Sequence, residues 1–170
     1  EGGRRKKRVQ LMGSGAILRE VLAAADLLEA DWGVSADVWS LTSCNELGRD
    51  GAAAVRWNML HPLEEPRVPY VAQQLAGRKG PAVAATDYVR AYADQLRPYL
   101  GRRYLALGTD GFGRSDVRAQ LRRFFEVDRY YVAVAALTAL AEEGEVERKV
   151  VADAIRKYRV DPEKPSPATL

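Results

Sequence analysis

A change of hydrophobic period at Gly13 constrains this chain more than any other feature. Val9 to Met12 is a short β-like run that stops at Gly13-Ser14-Gly15, and from Ala16 onward Ile17, Leu18, Val21, Leu22, Ala25 and Leu28 recur every three or four positions. That is a strand, a tight turn and an amphipathic helix. Gly33 supplies a left-handed stop, residues 36–43 read as a second strand, and Asn45 is placed to cap a following helix. Right-handed crossover makes the two strands parallel, with the helix on one face of the sheet.

The same switch recurs downstream. A helix over about 46–60 is followed by an extended crossing rich in proline, Pro62, Pro66 and Pro69, and by a short helix near 69–76. Residues 82–86 form an apolar strand of the kind buried on both faces, 88–100 return to helical spacing, and 104–108 form a fourth strand. After the loop 109–115 a helix begins near Asp116, capped by Ser115 or Asp116. The last third holds only helices: Asp128 caps one that runs to Glu143, Gly144 ends it, and 146–158 form another. This order predicts an α/β fold, a three-layer α/β/α open, mostly parallel, doubly wound sheet with a helical C-terminus. Residues 1–8 read as a basic linker or tail, 9–160 as a single domain, and 161–170, where PEKPSPATL holds three prolines, as an extended or frayed tail.

Charge narrows the function. The chain carries 26 Lys and Arg against 23 Asp and Glu, but Arg4, Arg5, Lys6, Lys7 and Arg8 supply five of the positives and Glu1 one of the negatives. Residues 9–170 are left with 21 against 22, a net of −1, so the body is not built to neutralise nucleic-acid phosphates. One cysteine, Cys44, permits no internal disulfide, and with one histidine, His61, there is no Cys/His set for structural zinc. The longest apolar run, residues 132–141, is half of what a bilayer crossing needs. A reducing, cytoplasmic compartment with no membrane partner is expected.

Three places invite a chemical reading. Gly13-Ser14-Gly15, between strand and helix, is where backbone N–H groups can cradle a phosphate, which would make the chain a self-contained nucleotide-binding α/β enzyme. The third glycine of a dinucleotide fingerprint is replaced by Leu18, however, and no Gly-Lys-Ser/Thr follows. His61 sits in RWNMLHPLEEPRVPY without a Gly-x-Ser-x-Gly elbow anywhere, so an imidazole bonded to a backbone carbonyl in a loop is the simpler role, with Glu64 and Glu65 pairing with Arg67 or with a partner's arginine. Asp110 and Arg114 bracket Gly111-Phe112-Gly113 at the C-terminal end of the fourth strand, the edge where open α/β sheets place working loops. Packing or interface roles suit these residues better than catalysis.

Longer blocks carry a resemblance. VQLMGSG at 9–15, DVWSLTSCNELGRDG at 37–51, RWNMLHPLEEPRVPYV at 56–71, ATDYVRAYADQLRPY at 85–99, GTDGFGRSD at 108–116, FEVD at 125–128 and KVVADAIRKY at 149–158 resemble the C-terminal domain of the homodimeric bacterial pyruvate dehydrogenase decarboxylase components. The wider transketolase-like superfamily shares only the strand–GSG–helix opening and the D-x-FG-x-S loop. The resemblance implies a transketolase C-terminal-like fold and a parent oxidoreductase that uses thiamine diphosphate and magnesium to decarboxylate pyruvate and pass the acetyl unit to the lipoyl group of dihydrolipoyl acetyltransferase. It further implies that the Gly-Asp-Gly…Asn segment and the thiamine-activating glutamate belong to preceding domains, so that this domain has no catalytic, cofactor-binding or metal-binding residue and is inactive alone. Its partners are then the remaining domains of the subunit, the symmetric second subunit and, in the complex, the acetyltransferase. His61, Arg67, Asp110, Phe112 and Arg114 are the candidate interface residues.

Overall fold

The computed structural model describes residues 7–170. Four strands, β1 (Arg8–Gly13), β2 (Ser35–Ser40), β3 (Ala82–Ala85) and β4 (Tyr104–Leu107), pair in parallel in the order β2-β1-β3-β4. The chain steps from β1 outward to β2, then returns past β1 to β3, so the winding reverses between β1 and β3.

Among the described residues eight α-helices fill the two faces: α1 (Leu18–Trp32), α2 (Cys44–Leu60), α3 (Tyr70–Leu75), α4 (Arg90–Asp94), α5 (Arg97–Leu100), α6 (Arg118–Phe124), α7 (Arg129–Glu142) and α8 (Arg148–Lys157). Side chains alternate across a strand, so Val9, Leu11, Val83 and Ala85 enter one core with α1, α7 and α8, whereas Met12, Ala82, Ala84 and Ala106 enter the other with α2 to α5. The expected three-layer α/β/α sheet is present. The apolar run at 132–141 belongs to α7, which packs against α1, α8 and the sheet; among the described residues no helix is long and apolar enough to cross a membrane.

Helix ends follow local chemistry. Gly33 closes α1 in the left-handed region, φ 62°, and Asp128 caps α7 by accepting from the backbone N–H groups of Tyr130 and Tyr131, as the sequence predicts. Ser43, not Asn45, caps α2, its hydroxyl accepting from Glu46 N at 3.2 Å. The single helix expected over 88–100 is two: a proline ring clashes with the carbonyl four residues back, and for Pro98 that residue is Asp94, where α4 stops. Neither Ser115 nor Asp116 caps α6, which starts at Arg118; Asp116 Oδ1 accepts from Val117 N, one residue too early. Arg8 is already strand and pairs with Asp37, while the rest of the basic leader through Lys6 lies outside the described residues. The C-terminal tail ends in a short 3-10 turn, Pro167–Thr169, with Pro167 buried.

Candidate functional site

The loop after β4 is held on three sides. Asp110 Oδ1 accepts from Arg90 N at 2.8 Å, and its second oxygen lies 3.3 Å from Arg90 Nε, so this carboxylate from another loop satisfies the N-terminus of α4, whose own Val89 offers no side-chain cap. Thr109 N donates to Tyr88 O at 2.8 Å and Thr109 Oγ1 to Asp87 O at 2.7 Å. Gly111, at φ 99°, backs onto the C-terminal tail: a Cβ there would meet Pro167 O at 2.1 Å. What the loop presents is Phe112, 82% exposed, and Arg114, whose guanidinium stacks on the Phe124 ring at 4.4 Å.

His61 and Arg67 meet through a third residue. The Trp57 ring is flanked by the His61 imidazole, stacked at 4.3 Å, and by the Arg67 guanidinium at 4.2 Å. His61 Nδ1 lies 2.8 Å from Trp57 O, the carbonyl contact expected of a structural imidazole. Asn58 clamps the far side, accepting from Arg67 N at 2.7 Å and donating to Arg67 O at 3.0 Å. Arg67 is therefore committed to Trp57, and the ion pair expected with Glu64 or Glu65 does not form. Among the described residues no hydrogen bond, ion pair or ring contact joins this arm to the Phe112 loop.

The glycine turn is filled rather than open. A Cβ on Gly13 would lie 2.7 Å from the Leu18 Cα, and one on Gly15 would lie 2.9 Å from Asp87 Oδ1. Ser14 is buried and its N–H donates to Ala85 O at 3.1 Å. A carboxylate at the head of α1 repels a phosphate there, so the geometry disfavours the nucleotide reading.

From sequence, Arg118, Arg122 and Arg123 beside this turn read as a solvated face; Arg122 and Arg123 are instead paired, with Glu20 and Asp128. A cavity of about 530 Å³ opens where the winding reverses, with Ile17, Leu121, Phe125 and Val127 contributing apolar surface and Arg114, Arg118 and Arg122 lying along its side. Arg122 and Arg129 converge on Glu20, a carboxylate 5% exposed in the first turn of α1. Burial pushes the Glu20 pKa up, but hydrogen bonds from Arg129 and the charges of Arg129 and Arg122 outweigh it and hold the carboxyl below its ordinary value. A signal existed: Glu20 stands four before Ala24 and eight before Leu28 on the apolar stripe of α1, and a charge on a buried face needs partners.

A four-stranded parallel sheet in this order, with helices on both faces, defines a three-layer α/β domain. Comparison with known proteins makes the assignment specific: the chain belongs to the transketolase-like C-terminal domain family, whose model matches residues 1–128. It is 59% identical over 163 residues, 96% of its length, to the pyruvate dehydrogenase E1 component of Cupriavidus necator, and 59% identical over 160 residues, 94% of its length, to that of Pseudomonas aeruginosa. The Escherichia coli K12 protein of the same name is 57% identical over 163 residues, 95% of the chain. In each case the chain spans 18% of the relative's length.

Proposed function

We propose that this chain is the C-terminal interaction domain of a cytoplasmic pyruvate dehydrogenase component that depends on thiamine diphosphate and magnesium, decarboxylates pyruvate and hands the acetyl unit to the lipoyl group of dihydrolipoyl acetyltransferase. The observation that carries this reading is identity of 57–59% across nearly the whole chain to proteins named pyruvate dehydrogenase E1 component. The residues present do not fit the cofactor: the glycine turn leading into α1 faces the Asp87 carboxylate, which opposes a diphosphate. In this reading the cofactor is held by other parts of the parent protein, and His61, Arg67, Asp110, Phe112 and Arg114 build surfaces for the rest of the subunit and for a second subunit.

A domain exchange tests the proposal. The matching segment of the Escherichia coli relative is replaced by residues 9–170, and the 170-residue chain is titrated in parallel with thiamine diphosphate plus magnesium. The expected result is a chimera that decarboxylates pyruvate and a chain that gives no saturable heat and no turnover alone. Saturable binding or turnover by the chain alone, or a folded chimera without activity, overturns it.

A further inference from the structure

We infer that the cavity outside the carboxyl ends of β1, β3 and β4 is a binding site for a free α-amino acid with an apolar side chain, its ammonium set by Asp87 and its carboxylate by Arg118. The place is the one where open parallel sheets take their ligands. Ile17 follows β1, Asp87 follows β3 and Thr109 follows β4, and the winding reverses between β1 and β3. The volume, about 530 Å³, lies within the range of small-molecule sites, about 300–1,000 Å³. Ile17 and Val127 are buried in its floor, with Leu121 and Phe125 half-buried beside them.

Two of the charges around this cavity are already engaged: Arg122 pairs with Glu20, and the Arg114 guanidinium lies against Phe124. Asp87 and Arg118 differ. Among the described residues neither side chain makes a hydrogen bond or an ion pair, and they do not pair with each other, although both line the one cavity. Asp87 is held in place by its neighbours: a Cβ on Gly15 would lie 2.9 Å from its Oδ1, and Thr109 Oγ1 donates to its backbone carbonyl at 2.7 Å. Opposite unspent charges over an apolar floor select a molecule that carries both. A phosphate or a dicarboxylate meets the Asp87 carboxylate, an amine without a carboxylate meets Arg114 and Arg118, and an uncharged apolar molecule covers both charges without satisfying either. An apolar α-amino acid answers all three features, because ammonium, carboxylate and side chain leave one carbon in different directions. A guanidinium matches a carboxylate through two parallel N–H bonds, and a carboxylate accepts from an ammonium.

Calorimetric titration of the 170-residue chain with L-leucine tests the assignment, with circular dichroism as the folding control; if the chain alone does not hold its fold, the chimera described above carries the cavity instead. Saturable binding with a Kd of about 1 mM or tighter is expected. Glycine, which offers nothing to the apolar floor, binds more weakly. N-acetylleucine lacks the ammonium and leucinamide lacks the carboxylate, and each is expected to lose about tenfold or more, as is leucine on Asp87→Asn or Arg118→Gln. The losses are paired: N-acetylleucine binds Asp87→Asn no worse than the original, and leucinamide binds Arg118→Gln no worse. A folded protein that gives no saturable heat, derivatives or variants that bind like the originals, or phosphate or succinate that binds as tightly as leucine overturns the inference. None of these outcomes reads pyruvate turnover or thiamine diphosphate binding, so this failure and that of the parent reading are told apart.

Discussion

Glu20 shows how much one side chain joins. Its carboxylate accepts from Arg122 Nη1 at 2.8 Å, Arg129 Nε at 3.0 Å and Arg129 N at 3.1 Å, which ties α1 to α6 and to the head of α7. A buried carboxylate without these donors would be costly; with them it is the ionised form that the fold favours. Its folded-state pKa lies below the ordinary 4.5, so its contribution is fully present above that value and is lost as pH falls through the lower, folded-state pKa. Glu20→Gln keeps the shape but leaves two guanidinium groups without their anion. The arginines are partly exposed and can turn toward water, so the expected loss is about 1–3 kcal/mol at pH 7 rather than the larger cost of a sealed pair. Urea unfolding at a series of pH values checks this: the gap between original and variant should close below pH 4.5, and a gap that stays constant into acid would assign the loss to packing instead.

Elements differ in how far local rules determine them. The strands and α1, α7 and α8 follow from periodicity, and Gly33 at the end of α1 and Asp128 at the start of α7 mark helix ends by local chemistry. The break at Pro98 was also visible, since Asp94 is four residues back, but the flanking helical spacing masks it. The crossing after α2 and the Phe112 loop were recognisable as irregular; the crossing is set by the contacts of His61 and Arg67 with Trp57 and Asn58, whereas the geometry of the Phe112 loop depends on partners remote in sequence: Asp110 with Arg90, and Gly111 with Pro167. The C-terminal tail is the clearest case. Three prolines suggest fraying, yet Lys164 Nζ donates to Phe124 O at 2.7 Å and Glu126 Oε1 at 2.8 Å, and Pro167 is buried. Nothing local in PEKPSPATL encodes those contacts. Gly111→Ala puts a methyl against Pro167 O in a backbone region that L residues avoid, so the tail must release or the loop must move. A loss of about 1–3 kcal/mol is expected, together with faster carboxypeptidase trimming of the tail from Leu170, read by mass spectrometry; a variant trimmed no faster than the original would show that the loop absorbs the change.

At the scale of the molecule, the two cores share one sheet. β1 and β3 each send alternate side chains to both faces, Val9, Leu11 and Val83 to one and Met12, Ala82 and Ala84 to the other, so neither core keeps its wall once the strands separate. That arrangement couples helices that never touch. Leu137 in α7 and Leu96, between α4 and α5, are fully buried on opposite faces, and truncating either to alanine should cost about 2–5 kcal/mol. If the sheet transmits the loss, both variants shift one common transition. Trp32, which packs with Tyr158 on one face, and Trp39, which packs on the other and donates to Gln10 Oε1 at 2.9 Å, are natural reporters when each is kept as the sole tryptophan. The expected result is that fluorescence of either reporter and far-ultraviolet circular dichroism trace the same midpoint in urea, in the parent chain and in both truncations. A Trp39 midpoint that moves with Leu96→Ala while Trp32 stays behind would mean that the α2 to α5 layer unfolds separately, and that the two faces are joined by chain alone.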